Sequence, residues 1–243
     1  MKKLWQKEYT LRAGDFDKFD RIMPSAVLDL FQDAAGQHAE DLGIGFASMI
    51  SRGYLWVLTR VKFKIVSAPT RYQNVVVKTW PLAPNRLNYR REYCIEDQDG
   101  KRLIIGSSEW VIIDSKTRKF LSDPNLYPFS DGFYDDIMFE GKLGKIHDFE
   151  NSGEPYIINA GFCELDVNGH VNNTKYANYI LDAVNPQKDD IIDVFQIDYR
   201  KEVMQGTALN IYCIREDNII SAKGQNNDGN IMFACKIDLK QQN

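Results

Sequence analysis

Apolar residues recur at three- and four-residue steps in two places along the chain. Val27, Leu30, Phe31, Ala34 and His38 mark the first stretch, and Tyr176, Tyr179, Ile180 and Ala183 the second. That spacing lines one face of an α-helix. Pro24 suits the first turn of the first helix, and "LGIG" from Leu42 suits its end. Asn172 or Asn173 is expected to cap the second, its side-chain oxygen accepting from an orphan backbone N–H. After each helix the period changes to two. In the first half "LTRVKFKIV" leads through "SAPTRYQN" to "VVVKTWPL", and in "LNYRREYCIE" Leu87, Tyr89, Arg91, Tyr93 and Ile95 share one face. "DQDG" is a hairpin signal, and "RLIIGSSEWVIID" returns. In the second half "VFQIDYRKEV" and "ALNIYCIRE" precede a turn at Asp217-Asn218. "IISAKGQ", the loop "NNDG" and "NIMFACKIDLK" follow.

The two halves also align without gaps around their helices. "DFDKFDRIMPSAVLDLFQDAA" from Asp15 lies over "ELDVNGHVNNTKYANYILDAV" from Glu164, so that Asp17 meets Asp166 and Ile22 meets Val171. A duplicated unit of one helix and a run of antiparallel strands is therefore expected. The expected fold is α+β, a tandem double hotdog with each half a central helix wrapped by a curved antiparallel sheet; an ordinary two-domain α+β protein is the alternative. The expected division is 1–121, a linker over 122–154 that is rich in Gly, Pro, Asp and Ser, and 155–243.

The copies differ where chemistry would sit. His170 falls opposite Arg21 and Asn168 opposite Phe19. With "VKFKIVSAP" laid over "IDYRKEVMQ", Phe63 meets Tyr199 and Glu202 meets Val66. The first copy thus lacks the Asn, the His and the Glu together. One working site in the second half explains this, with drift of surface residues as the alternative.

Composition narrows the classes. Hydrophobic residues are 44% of 243, enough for a real core, and 26% charged residues with a net charge of −4 argue against nonspecific nucleic-acid binding. No apolar run of about 18 residues predicts a membrane span. "MKKLWQKEYTLRAGD" has no apolar signal core, and the cysteines Cys94, Cys163, Cys213 and Cys235 show no CxxC spacing. Reduced thiols and a cytoplasmic setting are expected. His38, His147 and His170 are scattered without HExxH, and GxSxG, GxGxxG and GxxxxGK[ST] motifs are absent. No metal, serine nucleophile or nucleotide cofactor is expected.

"LDVNGHVNNTKYANYILDA" followed by "IDYRKEV" resembles the signature of acyl-acyl-carrier-protein (acyl-ACP) thioesterases, and "VKTWP", "RREY" and "SSEWVIIDSKTRKFLS" resemble that family's first hotdog. The resemblance implies hydrolysis of fatty acyl-ACP to free fatty acid and ACP, without cofactor. It also implies catalytic roles for Asp166, Asn168, His170 and Glu202. Many plant members carry Cys after the Glu; Val203 stands there in this chain. The chain looks like a bacterial, cytosolic member. Glu202 or His170 would activate water, Asn168 would position the water or the carbonyl, and Asp166 would orient its neighbours. Backbone N–H groups at Gly169 and Val171 would face the oxyanion, and Gly169 would allow close backbone approach. An acyl-CoA hydrolase of the same fold and a non-catalytic acyl-binding module are the rival readings. Acyl carrier protein is acidic, so a local basic patch is expected, with Arg86, Arg90, Arg91, Lys62 and Lys64 as candidates. A monomer or homodimer is expected.

Overall fold

The computed structural model describes residues 3–241. Its first half runs β1 (Trp5–Thr10), α1 (Pro24–Asp41), α2 (Phe46–Ser51), β2 (Tyr54–Ile65), β3 (Asn74–Pro81), β4 (Tyr89–Glu96), β5 (Arg102–Asp114) and β6 (Phe120–Leu121). The second runs β7 (Tyr156–Asn159), α3 (Tyr176–Val184), β8 (Ile192–Tyr199), β9 (Ala208–Glu216), β10 (Ile219–Gln225) and β11 (Ile231–Leu239). Ten strands form one antiparallel path, β1-β3-β4-β5-β2-β8-β11-β10-β9-β7, with β6 added beside β5. The order reads the same from either end once second-half strands replace their first-half counterparts, so each half is a hotdog. The two join through the central β2–β8 pair.

That seam carries both kinds of glue. Phe63 pairs with Phe195 across it, their rings stacked at 5.3 Å. Next along, Arg60 pairs with Asp198 and reaches Glu109 at 2.9 Å. Asp198 is buried, so its charge needs these partners and the Ile146 N–H, which donates to it at 2.9 Å. Around α1 the apolar face predicted by periodicity packs as expected: Phe31 is buried and stacks on Tyr93 at 4.2 Å. Gly106 makes this possible, since a Cβ there would lie 2.2 Å from the Phe31 ring.

Backbone pairing corrects the strand alignment between the copies. Val66 and Ser67 both donate to the Leu103 carbonyl, and Arg200 and Lys201 both donate to the Met232 carbonyl. Val66 therefore corresponds to Arg200, Phe63 to Ile197, and Glu202 to Ala68 rather than Val66. The shift is two residues, which leaves inward and outward faces unchanged. The stretch after β6 forms no helix or strand before β7. It is a packed strap all the same, burying Leu126, Tyr127, Met138, Leu143 and Ile146.

Candidate active site

The segment from Leu165 folds into a closed turn because Asp166 gathers its backbone. One Asp166 oxygen accepts the N–H of Asn168 at 2.8 Å and of His170 at 3.3 Å, and the other accepts the Asn168 side-chain amide at 3.3 Å. The Asp166 N–H closes the loop on the His170 carbonyl at 2.8 Å. Gly169 sits at φ 78, the left-handed region that glycine adopts at least cost. A Cβ at Gly169 would meet no protein atom within 4 Å, so within the fold it is the positive φ that calls for glycine.

The turn is then clamped to the chain after β8. Val171 donates to the Val203 carbonyl at 2.8 Å, and His170 forms an isolated β-bridge with Met204. This clamp brings Glu202 to the imidazole, with His170 Nε2 3.5 Å from Glu202 Oε2. The other carboxylate oxygen of Glu202 is ion-paired to Arg118, which comes from the first half. Asp166, Asn168, His170 and Glu202 all line one cavity of about 1340 Å³. Its apolar wall comes largely from the first half, including Met49, Trp56, Leu58 and Trp110. Tyr176 and Tyr199 also line it, edge to face at 5.4 Å. Burial pushes the Tyr176 phenol well up, and the nearby charges of Glu202 and Asp166 add to a rise that a Val203 backbone hydrogen bond only partly offsets. Burial does the same to Tyr199. Both therefore stay neutral, and Tyr199 donates to the Asn173 carbonyl at 2.8 Å.

Three sequence expectations change. The Gly169 N–H is spent on the Asp166 carbonyl at 3.0 Å and the Val171 N–H on Val203, so neither offers a free donor to an oxyanion. The helix begins at Tyr176, several residues beyond the turn, and Lys175 rather than Asn172 or Asn173 occupies the cap position. Asn172 instead accepts the N–H and hydroxyl of Thr174 at 3.0 and 3.1 Å. The proposed basic patch also largely dissolves. Arg91 is buried, with its guanidinium 3.0 Å from His38 Nδ1 and 3.2 Å from Thr79 Oγ1, as its place among the inward residues of β4 requires. Arg90 is tied to Glu92 and to the Gly141 carbonyl, Lys62 lies over the Phe139 ring, and Lys64 pairs with Asp193. Arg86 remains exposed. Among the described residues no His, Cys, Asp and Glu cluster has metal-ligand geometry, and no helix is long and apolar enough to cross a membrane.

Two hotdogs in one sheet, with a carboxylate–imidazole pair over an apolar cavity, define the class of protein. The chain belongs to the acyl-ACP thioesterase family. Residues 2–124 match the acyl-ACP thioesterase N-terminal domain and residues 153–241 the C-terminal domain. A dodecanoyl-[acyl-carrier-protein] hydrolase of Umbellularia californica is 28% identical over 221 residues, covering 85% of this chain and 58% of its own. A palmitoyl-acyl carrier protein thioesterase of Arabidopsis thaliana is 26% identical over 226 residues, covering 85% of this chain and 54% of its own. The chain thus spans about half the length of the curated plant relatives it matches. In fold it is similar to the crystal structure of an acyl-ACP thioesterase from Bacteroides thetaiotaomicron, with a TM-score of 0.88, 24% identity and 98% of each chain covered.

Proposed function

We propose that this protein hydrolyses fatty acyl-ACP to free fatty acid and ACP, ending fatty acid synthesis. The observation that carries the reading is the His170–Glu202 pair at 3.5 Å, set at the mouth of a cavity with an apolar wall. Membership of the family over both domains supports the same substrate class. The acyl chain lies along the first-half wall and the thioester carbonyl reaches the Asn168 amide. A water in reach of both Nε2 and Oε2 attacks the carbonyl carbon and gives its proton to the His170–Glu202 pair. The Asn168 side chain donates to the oxyanion, since the Gly169 and Val171 amides are already occupied. Collapse breaks the C–S bond, and the pair returns the proton to the departing thiolate. A pantetheine thiol has a reference pKa near that of cysteine, about 8.5, so activation of water is the harder task. Asp166 acts through the turn, by holding Asn168 and His170 in place. The four free cysteines support a reducing, cytoplasmic setting.

The test is turnover of the purified protein on acyl-ACP and on acyl-CoA of the same chain length, without added metal. Faster hydrolysis of acyl-ACP is expected, with kcat falling by about 10²–10⁴-fold in His170→Ala and Glu202→Gln. Preference for acyl-CoA would favour the rival hydrolase, and binding without turnover an acyl-binding module.

A further inference from the structure

The first half lacks the Asn, His and Glu of the site, yet it contributes a guanidinium that touches Glu202. Arg118 stands on the loop that joins β5 to β6, and this loop is held in a single shape. Asp114 accepts the Thr117 N–H at 2.6 Å and the Thr117 hydroxyl at 2.9 Å. Backbone bonds of 2.9 Å run from Arg118 to Asp114 and from Asp114 to Lys119, and Ser115 donates to Gly53 at 2.8 Å. Arg118 itself is at φ 59, a conformation an arginine adopts only at some cost. The loop thus holds a strained residue whose guanidinium reaches the other half and grips Glu202 by Oε1, leaving Oε2 toward His170.

Glu202 needs such a grip. Its side chain is 45% exposed, and it lies just after the end of β8, outside any strand. Its first-half counterpart, Ala68, has no carboxylate to hold. A free glutamate there would spend much of its time turned to solvent, and displacement of a reacting group by about 1 Å can cost about 100-fold in rate. We infer that Arg118 is a positioning residue, supplied by the first hotdog, that fixes the Glu202 carboxylate against His170 and makes the second hotdog's site depend on the first. This rests on the thioesterase reading above and adds the element that aims the carboxylate of its His170–Glu202 pair. A guanidinium at the rim of the cavity has a competing use, as a ligand for the phosphate of phosphopantetheine. The two uses differ in what they change. Positioning acts on kcat whatever the thiol carries; phosphate binding acts on KM and vanishes with a thiol that has no phosphate.

The experiment uses the full chain and two substrates, acyl-ACP and an acyl-N-acetylcysteamine thioester, which lacks both phosphate and carrier. Arg118→Gly removes the guanidinium and relieves the positive φ, so the fold is expected to be kept, as thermal unfolding will show. A fall in kcat of about tenfold or more on both substrates, with KM within about threefold, is expected. Added guanidinium ion should restore much of the lost rate, because the vacated place is half open to solvent, and Arg118→Lys should retain part of it. Unchanged kcat in Arg118→Gly, or a rise in KM confined to acyl-ACP, overturns the inference. Glu202→Gln is measured in parallel. If Glu202→Gln is inactive while Arg118→Gly is fully active, the inference alone fails; if Glu202→Gln keeps full activity, the thioesterase mechanism fails with it.

Discussion

The turn at residues 17–21 and the turn at residues 166–170 are the same object built twice. Asp17 accepts the N–H groups of Phe19 and Arg21 at 2.8 and 3.0 Å, as Asp166 accepts those of Asn168 and His170. Each turn closes with a short bridge, Phe16 to Ile22 and Leu165 to Val171. Each has a left-handed residue at the same place, Asp20 at φ 62 and Gly169 at φ 78. The last turn residue has different partners in the two copies. Arg21 donates to the carbonyls of Gln187 and Asp190 at 2.9 and 2.8 Å, whereas His170 meets Glu202, itself held by Arg118. Asp17 makes its backbone bonds with neither an Asn nor a His in its turn, so the aspartate serves the turn itself in both copies. The chemistry proposed above rests on the residues that stand where the first copy has Phe19, Arg21 and Ala68.

The sharpest way to break this comparison is to truncate the two facing residues. His170→Ala should lower kcat by about 10²–10⁴-fold with little change in unfolding temperature. Arg21→Ala should leave kcat alone and lower stability by about 1–3 kcal/mol, the usual cost of losing hydrogen bonds to a charged group. Equal effects on turnover would show that the first turn also feeds the site.

Next come the anchors. Asp166→Ala should cost about tenfold or more in kcat, because Asn168 and His170 lose their support. Asp17→Ala should cost stability alone. Burial pushes the Asp17 carboxyl up, but the Arg21 side chain and the N–H groups of Arg21 and Phe19 outweigh it and hold it below the usual range. A depressed carboxyl stabilises the fold fully above its unfolded pKa of about 3.9, and that contribution is lost as pH falls through the lower folded value. Acid unfolding of Asp17→Ala should therefore lack this component below about pH 4, which a pH series of melts will reveal. A smaller effect is expected at the left-handed position. Gly169→Asp copies the first turn and should fold normally, whereas Gly169→Val forces a β-branched residue to positive φ and should cost about 1–3 kcal/mol, read from the same melts.

Much of this was legible from periodicity, and the failures share a cause. The three-to-four spacing of Val27, Phe31 and Ala34 marks α1, and the alternation of Tyr89, Arg91 and Tyr93 marks β4 but not which of its faces is inward, so Arg91 reads as a surface cation until the sheet is assembled. The same alternation misleads in register, because sliding β8 by two residues along β2 keeps every face correct. Only the paired bonds to Leu103 and Met232 set Glu202 opposite Ala68. The strap after β6 has no period, since it fills hollows on the sheet one residue at a time: Trp80 Nε1 donates to the Asp136 carbonyl at 2.9 Å, and Leu126 packs beside Tyr89. Asp166, Asn168 and His170 stand out because they fall at alternate positions in one short, compositionally odd stretch. Arg118 does not, because its meaning depends on a partner 84 residues away across the seam. The "TRK" within "SKTRKFLS" reads as an ordinary charged turn until the sheet is assembled.

The smallest expected effect concerns the thiol nearest the turn. Cys163 lies in the short helical turn before Asp166, and its counterpart in the first copy is Gly14, with nothing within 4 Å of where a Cβ would be. The scaffold therefore works with no side chain at that place. Cys163 is exposed, while the other three thiols are held neutral: burial pushes Cys94 to about 12, with the Glu96 charge adding to it, and Cys213 to about 11, and drives Cys235 well up. A thiolate-directed alkylating reagent at pH 8 should modify Cys163 first. If water and not a thiol attacks the ester, the Cys163→Gly protein should hydrolyse acyl thioesters within about twofold of the parent rate, and alkylation of the parent should leave turnover largely intact. Loss of activity in Cys163→Gly would move the nucleophile from water to sulfur. It would also mean that the two copies differ in chemistry one turn earlier than the His170–Glu202 pair.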